Sequence, residues 1–141
     1  MTYNHEQRVR AAQPRVVAFF HDAANLLRIT PRFPRATIPA GQDTRVVPGA
    51  VIPLRISAGP FATRWDSTIE RVDPDGTFVD VSSTPLFRRW RHTHRFLSDG
   101  EGCRIIDAVE AEPAPWLAPG AGLLIRALFA YRRRALRRLF G

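Results

Sequence analysis

The sequence predicts an α+β fold in which a curved antiparallel sheet closes on one long C-terminal helix, with two short helices after the first strand. Three observations carry this reading. Pro119 to Phe140 has the 3.6-residue periodicity of an amphipathic helix. From Arg35 to Glu112 the chain alternates apolar and polar residues between turns rich in glycine and proline. Two short apolar runs ending at Pro31 separate that region from a lone first strand.

In chain order, His5 to Ala12 alternates loosely and reads as a strand, stopped by Gln13-Pro14, where the proline suits the first turn of a helix. Arg15 to His21 carries Val16, Val17, Phe19 and Phe20, a short helix. Asp22 to Asn25 punctuates it, and Leu26, Leu27 and Ile29 begin a second short helix or turn that Pro31 ends. Ala50 to Ser57 alternates, with Ile52, Leu54 and Ile56 on one face, and Pro53 inside the run argues for an edge or a bulge. Thr63 to Val72 places Trp65, Ser67 and Ile69 together, and Asp73-Pro74-Asp75-Gly76 is a strong hairpin signal. Phe78 to Ser83 returns with ambiguous facing. Arg89 to Leu97 alternates cleanly, Ser98 to Gly102 turns, and Cys103 to Glu112 is the last strand. The sheet is thus a first strand plus about six more in an antiparallel meander.

The final helix shows two apolar rows, Leu124, Leu128, Ala135 and Leu139 beside Ile125, Phe129, Leu136 and Phe140. Arg126, Arg133, Arg134, Arg137 and Arg138 fall on the opposite side. Arg132 breaks the rule by sitting in the apolar face, where a permanent cation must find an anion, reach the edge or bend the helix.

A chain of 141 residues, 45% apolar and 10% aromatic, fits one domain spanning residues 1–141. Cys103 is the only cysteine, so no internal disulfide forms and a reducing cytoplasm is the simpler location. Val16 to Phe20 is too short for the apolar core of a signal peptide, and no window approaches the roughly 18 apolar residues of a membrane span. The net charge is +8, and all 21 basic residues are arginine. A basic surface attracts nucleic acid or anionic lipid. The complete absence of lysine instead points to a compositional preference, because selection for a patch would enrich arginine locally. No nucleic-acid motif accompanies the charge, and nucleic acid is not an expected partner. The dense cluster Arg132, Arg133, Arg134, Arg137 and Arg138 leaves peripheral contact with an anionic membrane open.

Trp90 to Phe96 is the most informative heptad. Period two puts Trp90, His92, His94 and Phe96 on one face and Arg91, Thr93 and Arg95 on the other, so the histidines face inward. The next strand offers Cys103, Ile105, Asp107 and Val109 on one face. If that face also points inward, Asp107 lies near His92 or His94, whereas a slip of one residue turns it outward. These residues with Arg132 would form a polar cluster in an apolar cavity between sheet and helix. One reading has His92, His94 and Asp107 orient or protonate a ligand, as acid and base near neutral pH. In the other, each histidine satisfies a buried partner while Asp107 and Arg132 neutralise one another. No spacing motif supports a metal site, no cofactor is implied, and Gly-rich phosphate loops and nucleophile elbows are absent. Trp65 and Trp116 read as packing or cavity wall, and Cys103 as a small buried hydrophobe.

Asn25-Leu26-Leu27-Arg28-Ile29-Thr30-Pro31 after the Val-Phe-Phe helix, the strand Trp90 to Phe96 and the strand Gly102 to Glu110 resemble the bacterial polyketide cyclase/dehydrase-like group. That group lies within the SRPBCC superfamily of START and birch-pollen-allergen proteins. The resemblance spans roughly Glu6 to Phe140. It implies a helix-grip fold, a seven-stranded sheet around the C-terminal helix, and a deep pocket for a lipid, sterol, quinone or polyketide. It carries over no catalytic residues, since the group has no fixed set.

The expected function is binding of a hydrophobic or amphipathic small molecule by Ile52, Leu54, Ile56, Trp65, Ser67, Ile69, Trp90, His92, His94, Phe96, Asp107, Leu124, Leu128 and Arg132. A cyclase/dehydrase-type enzyme with a pocket histidine as acid or base, and a basic protein meeting membrane or RNA, are the alternatives.

Overall fold

The computed structural model describes Met1–Gly141. Strand β1 (Thr2–Val9) leads into helix α1 (Gln13–Phe20) and a 3-10 helix (Ala23–Ile29). Strands β2 (Arg35–Thr37), β3 (Val51–Ala58), β4 (Phe61–Val72), β5 (Phe78–Ser82), β6 (Phe87–Asp99) and β7 (Gly102–Pro113) follow, then helix α2 (Ala118–Phe140). The seven strands form one antiparallel sheet in the order β1-β7-β6-β5-β4-β3-β2, so the meander ends by pairing its last strand with the first. Register shifts between Ile69 and Arg71 and between Phe87 and Arg89 bend the long strands. The sheet thereby curls around α2, the helix-grip arrangement. No helix is long and apolar enough to cross a membrane.

Several element limits differ from the sequence reading. β1 occupies Thr2–Val9 rather than His5 to Ala12, held by eight registered pairs from Thr2 opposite Glu110 to Val9 opposite Cys103. The 3-10 helix absorbs Ala23 to Asn25, read from sequence as a break. Asp22 starts it by accepting the Ala24 amide at 3.0 Å and the Thr44 hydroxyl at 2.6 Å. Pro53 lies where β3 has only one neighbour, because β2 pairs with Arg55 to Ser57 alone. Trp116 is 68% exposed and packs no wall, since it lies in the turn before α2.

Two apolar cores form between sheet and helix. One joins Val16, Phe19, Ile29, Phe78, Phe96, Ile105 and Leu136; the other joins Phe87, Trp90, Val109, Ala121, Ile125 and Phe129. The buried face of α2 is therefore Ala121, Ile125, Phe129, Ala135 and Leu136, while Leu124 is 43% exposed, so the outer apolar row covers less of the sheet than its periodicity suggests. Arg133 is tied to β1, donating to the Glu6 carbonyl at 2.9 Å while its own carbonyl accepts from Gln7 at 2.9 Å.

The Asp73 to Gly76 turn packs under α1, where His21 Nε2 lies 2.8 Å from the Gly76 carbonyl oxygen. Gly76 has a φ of +92°, and a Cβ there would stand 2.8 and 2.9 Å from the Val17 methyls. Gly76→Ala is expected to cost about 1–3 kcal/mol through left-handed strain and the displaced Val17. Urea unfolding checks this, and an unchanged midpoint would contradict the packing.

Candidate functional site

Strand alternation and register build the site. On the concave face, His5, Asp107, His94 and Phe78 lie opposite one another in sequence across β1, β7, β6 and β5. The next row is Tyr3, Val109, His92, Asp80 and Ile69, continuing onto β4. A polar belt thus crosses the sheet between the two apolar cores. Helix α2 repeats the interruption, with Arg132 between Phe129 of one core and Leu136 of the other.

Within the belt the hydrogen bonds run diagonally. Asp107 faces His94 in register but bonds His92 Nε2 at 2.7 Å. Asp80 faces His92 but bonds His94 Nε2 at 2.6 Å. The two imidazoles stack with centroids 3.7 Å apart, and Phe78 stacks on the other face of His94 at 4.1 Å. This crossed pairing lets each carboxylate hold one ring edge while the ring faces remain in contact.

The charges follow from burial and partners. Burial pushes the carboxyls of Asp80 and Asp107 up, but their histidine hydrogen bonds and the positive charges around them outweigh it and leave both below the usual range. Burial and the neighbouring His92 charge lower the pKa of His94 despite its bond to Asp80. His5, whose Nε2 is buried without a partner, is also lowered, chiefly by burial. Arg132 has no hydrogen bond or ion pair with the protein; its guanidinium stands 5.5 Å from the centre of the Phe129 ring, and its Nε is shut off from solvent. Burial works against its charge and Asp107 and Asp80 support it, and an arginine starts so high that the cation persists.

A cavity of about 320 Å³ lies between sheet and α2. Ile52, Leu54, Ile56, Trp65, Ser67 and Ile69 line one wall, Trp90, His92 and His94 the floor, and Leu124, Leu128 and Arg132 the helical side. Phe33, 73% exposed, and Leu124 mark its mouth between the segment after the 3-10 helix and α2. Phe96 and Asp107 do not line it. Phe96 is buried in the core beyond His94, and Asp107 stands behind His92. Arg132 points inward and so leaves the outer basic surface to which its place in the arginine cluster assigns it.

Sequence reasoning missed Asp80 and His5. Phe78 on one side and Val79 and Val81 on the other leave the facing of this strand ambiguous, and both Phe78 and Val79 are buried. The available signal was the hairpin: counting the register back from His94 places Phe78 and Asp80 on the histidine face. Asp80, His92 and His94 present ligand atoms within 4.8 Å of one another, a grouping able to attract a metal ion. Stacked, nearly parallel rings aim their lone pairs along separate planes, which fits one shared ion poorly.

The fold is the helix-grip fold also seen in START-like and birch-pollen-allergen-like structures. A START superfamily protein from Mycobacterium smegmatis superposes with a TM-score of 0.67 at 10% identity, covering 98% of each chain. The Zhui aromatase/cyclase from Streptomyces sp. R1128 gives 0.72 at 14% identity, covering 96% of this chain and 90% of its own. Norcoclaurine synthase from Thalictrum flavum, solved with dopamine and hydroxybenzaldehyde, gives 0.71 at 17% identity, over 99% of this chain and 85% of its own. None of the curated proteins matches the sequence. Residues 60–140 match the family model described as "Domain of unknown function (DUF8410)", and the chain belongs to that family.

Histidines with lowered native pKa values bind protons more readily in the unfolded chain, so stability is expected to fall as pH drops below about 6.5. The depressed carboxylates add a second loss below about pH 4, as pH falls towards their native values. Imidazole proton titration by NMR should put the His94 and His5 midpoints below the ordinary value. A His94 midpoint above it would show that the Asp80 bond outweighs burial.

Proposed function

We propose that the protein binds a hydrophobic or amphipathic small molecule, lipid-, quinone- or polyketide-like, in the cavity between sheet and α2. The observation that carries this reading is the combination of an apolar 320 Å³ hollow with a polar floor, within the range of about 300–1,000 Å³ common to small-molecule sites. In this reading Ile52, Leu54, Ile56, Trp65, Ile69, Trp90, Leu124 and Leu128 supply the wall, and Ser67, His92, His94 and Arg132 the polar contacts. Asp107 positions His92, and Phe96 supports His94 from the core. The functional unit is the whole chain acting as one domain, in a reducing cytoplasm that keeps buried Cys103 a free thiol.

A second reading is favoured by the His92–Asp107 bond of 2.7 Å, both groups being buried. A carboxylate that fixes one imidazole nitrogen leaves the other to move a proton, as ring closure or water loss from a polyketide-type substrate requires. Turnover that falls in H92Q while ligand affinity holds would place the protein among such enzymes.

The neutral fluorophore N-phenyl-1-naphthylamine is expected to bind saturably. Leu128→Trp should fill the hollow and abolish that binding with an unchanged circular dichroism spectrum. Equal binding by both proteins would place the dye elsewhere and remove the support for the cavity.

A further inference from the structure

The chemistry of the ligand is written in the one cation lining the cavity that has no hydrogen bond or ion pair with the protein; this inference rests on the cavity being a ligand site. Arg132 lines the hollow, carries five N–H donors and gives none of them to the protein. The two carboxylates near it are already engaged, Asp80 by His94 at 2.6 Å and Asp107 by His92 at 2.7 Å. A half-buried cation with committed neighbours is satisfied when something entering the cavity brings the acceptor. A carboxylate matches the guanidinium fork with two parallel bonds and an opposite charge, which a lone carbonyl or hydroxyl does not. The same neighbours limit the charge, because the ionised Asp80 and Asp107 oppose any anion and oppose a dianion such as a phosphate monoester twice as strongly. Size sets another limit. About 320 Å³ lies at the small end of ligand pockets, enough for one medium chain or a fused ring system and too little for a two-chain lipid.

We propose that the ligand is a monocarboxylic acid with one compact apolar tail, its carboxylate held by Arg132 on the α2 side of the cavity and its tail between Trp65, Trp90, Leu54 and Leu124. The walls suit such a tail: Trp65 and Trp90 meet edge to face at 5.2 Å and present flat apolar surface toward the hollow.

Three probes with the same tail test the head group: decanoate, decan-1-ol and decylamine, each displacing N-phenyl-1-naphthylamine at pH 8. Decanoate is expected to bind at least about tenfold tighter than the alcohol, the worth of one charge-assisted bond, and the amine weakest. Arg132→Met should bring decanoate down to the alcohol's affinity. Arg132→Lys should keep part of the preference, since it retains the charge and loses the fork. Circular dichroism monitors folding, and if R132M does not fold, the wild-type ratio and R132K decide. Equal displacement by acid and alcohol, or a preference that survives in R132M, overturns the acid head while leaving the cavity as a binding site. Failure of the fluorophore itself to bind removes the cavity reading and this one with it.

Discussion

A guanidinium that keeps its charge at any physiological pH lies half-buried between sheet and helix, its Nε shut off from solvent, and the groups around it are arranged to make that tolerable. Taking one ion from water into a protein interior costs several kcal/mol after relaxation. The structure meets the cost with a field rather than a bond: Asp107 and Asp80 both support the Arg132 charge without touching it. Those carboxylates in turn stay ionised because each accepts from a histidine. The belt is one electrostatic unit, coupling β1, β5, β6 and β7 to α2.

The unit divides the interior. On β6 the inward residues read Trp90, His92, His94, Phe96; on β7 they read Val109, Asp107, Ile105; on α2 they read Ile125, Phe129, Arg132, Leu136. Each line passes from one apolar core through polar groups into the other. Apolar residues of similar volume at these positions would pack as well, and replacing buried charge clusters with such residues is often neutral or stabilising. Core stability alone therefore gives no reason for the belt. Its position at the floor of a hollow does.

Much of this was legible in the sequence because it is periodic. The period of two on Trp90 to Phe96 put the histidines inside, and the 3.6 period of α2 exposed Arg132 as the exception on its face. Asp107 was legible only as a conditional, since its facing depends on register across the Ser98 to Gly102 turn, and the observed pairing of Asp99 with Gly102 fixes it. Asp80 was not legible because local hydrophobicity left the facing of its strand open: Phe78 lies on one side and Val79 and Val81 on the other. A strand in a strongly curled sheet can bury apolar residues on both faces, and there alternation loses its meaning. The diagonal choice of partners was also beyond reach, as it depends on ring stacking, which no spacing encodes.

The arginines separate by what surrounds them. On the convex face Arg91 pairs with Glu70 and lies 3.8 Å from Glu110, Arg104 bonds Glu6 at 3.0 Å, and Arg64 bonds Asp66 at 2.9 Å. Exposed pairs of this kind are worth between nothing and about 1 kcal/mol, and a lysine would serve nearly as well. Their chemistry gives no reason for lysine to be absent, which fits a preference spread over the whole sequence. Arg132 is different. A lysine would place there a compact, strongly hydrated ammonium that loses its proton readily on desolvation, and the cavity would lose its fixed positive charge. At that position the guanidinium's resistance to discharge is the property that matters, and the rest of the belt makes sense only if that charge stays.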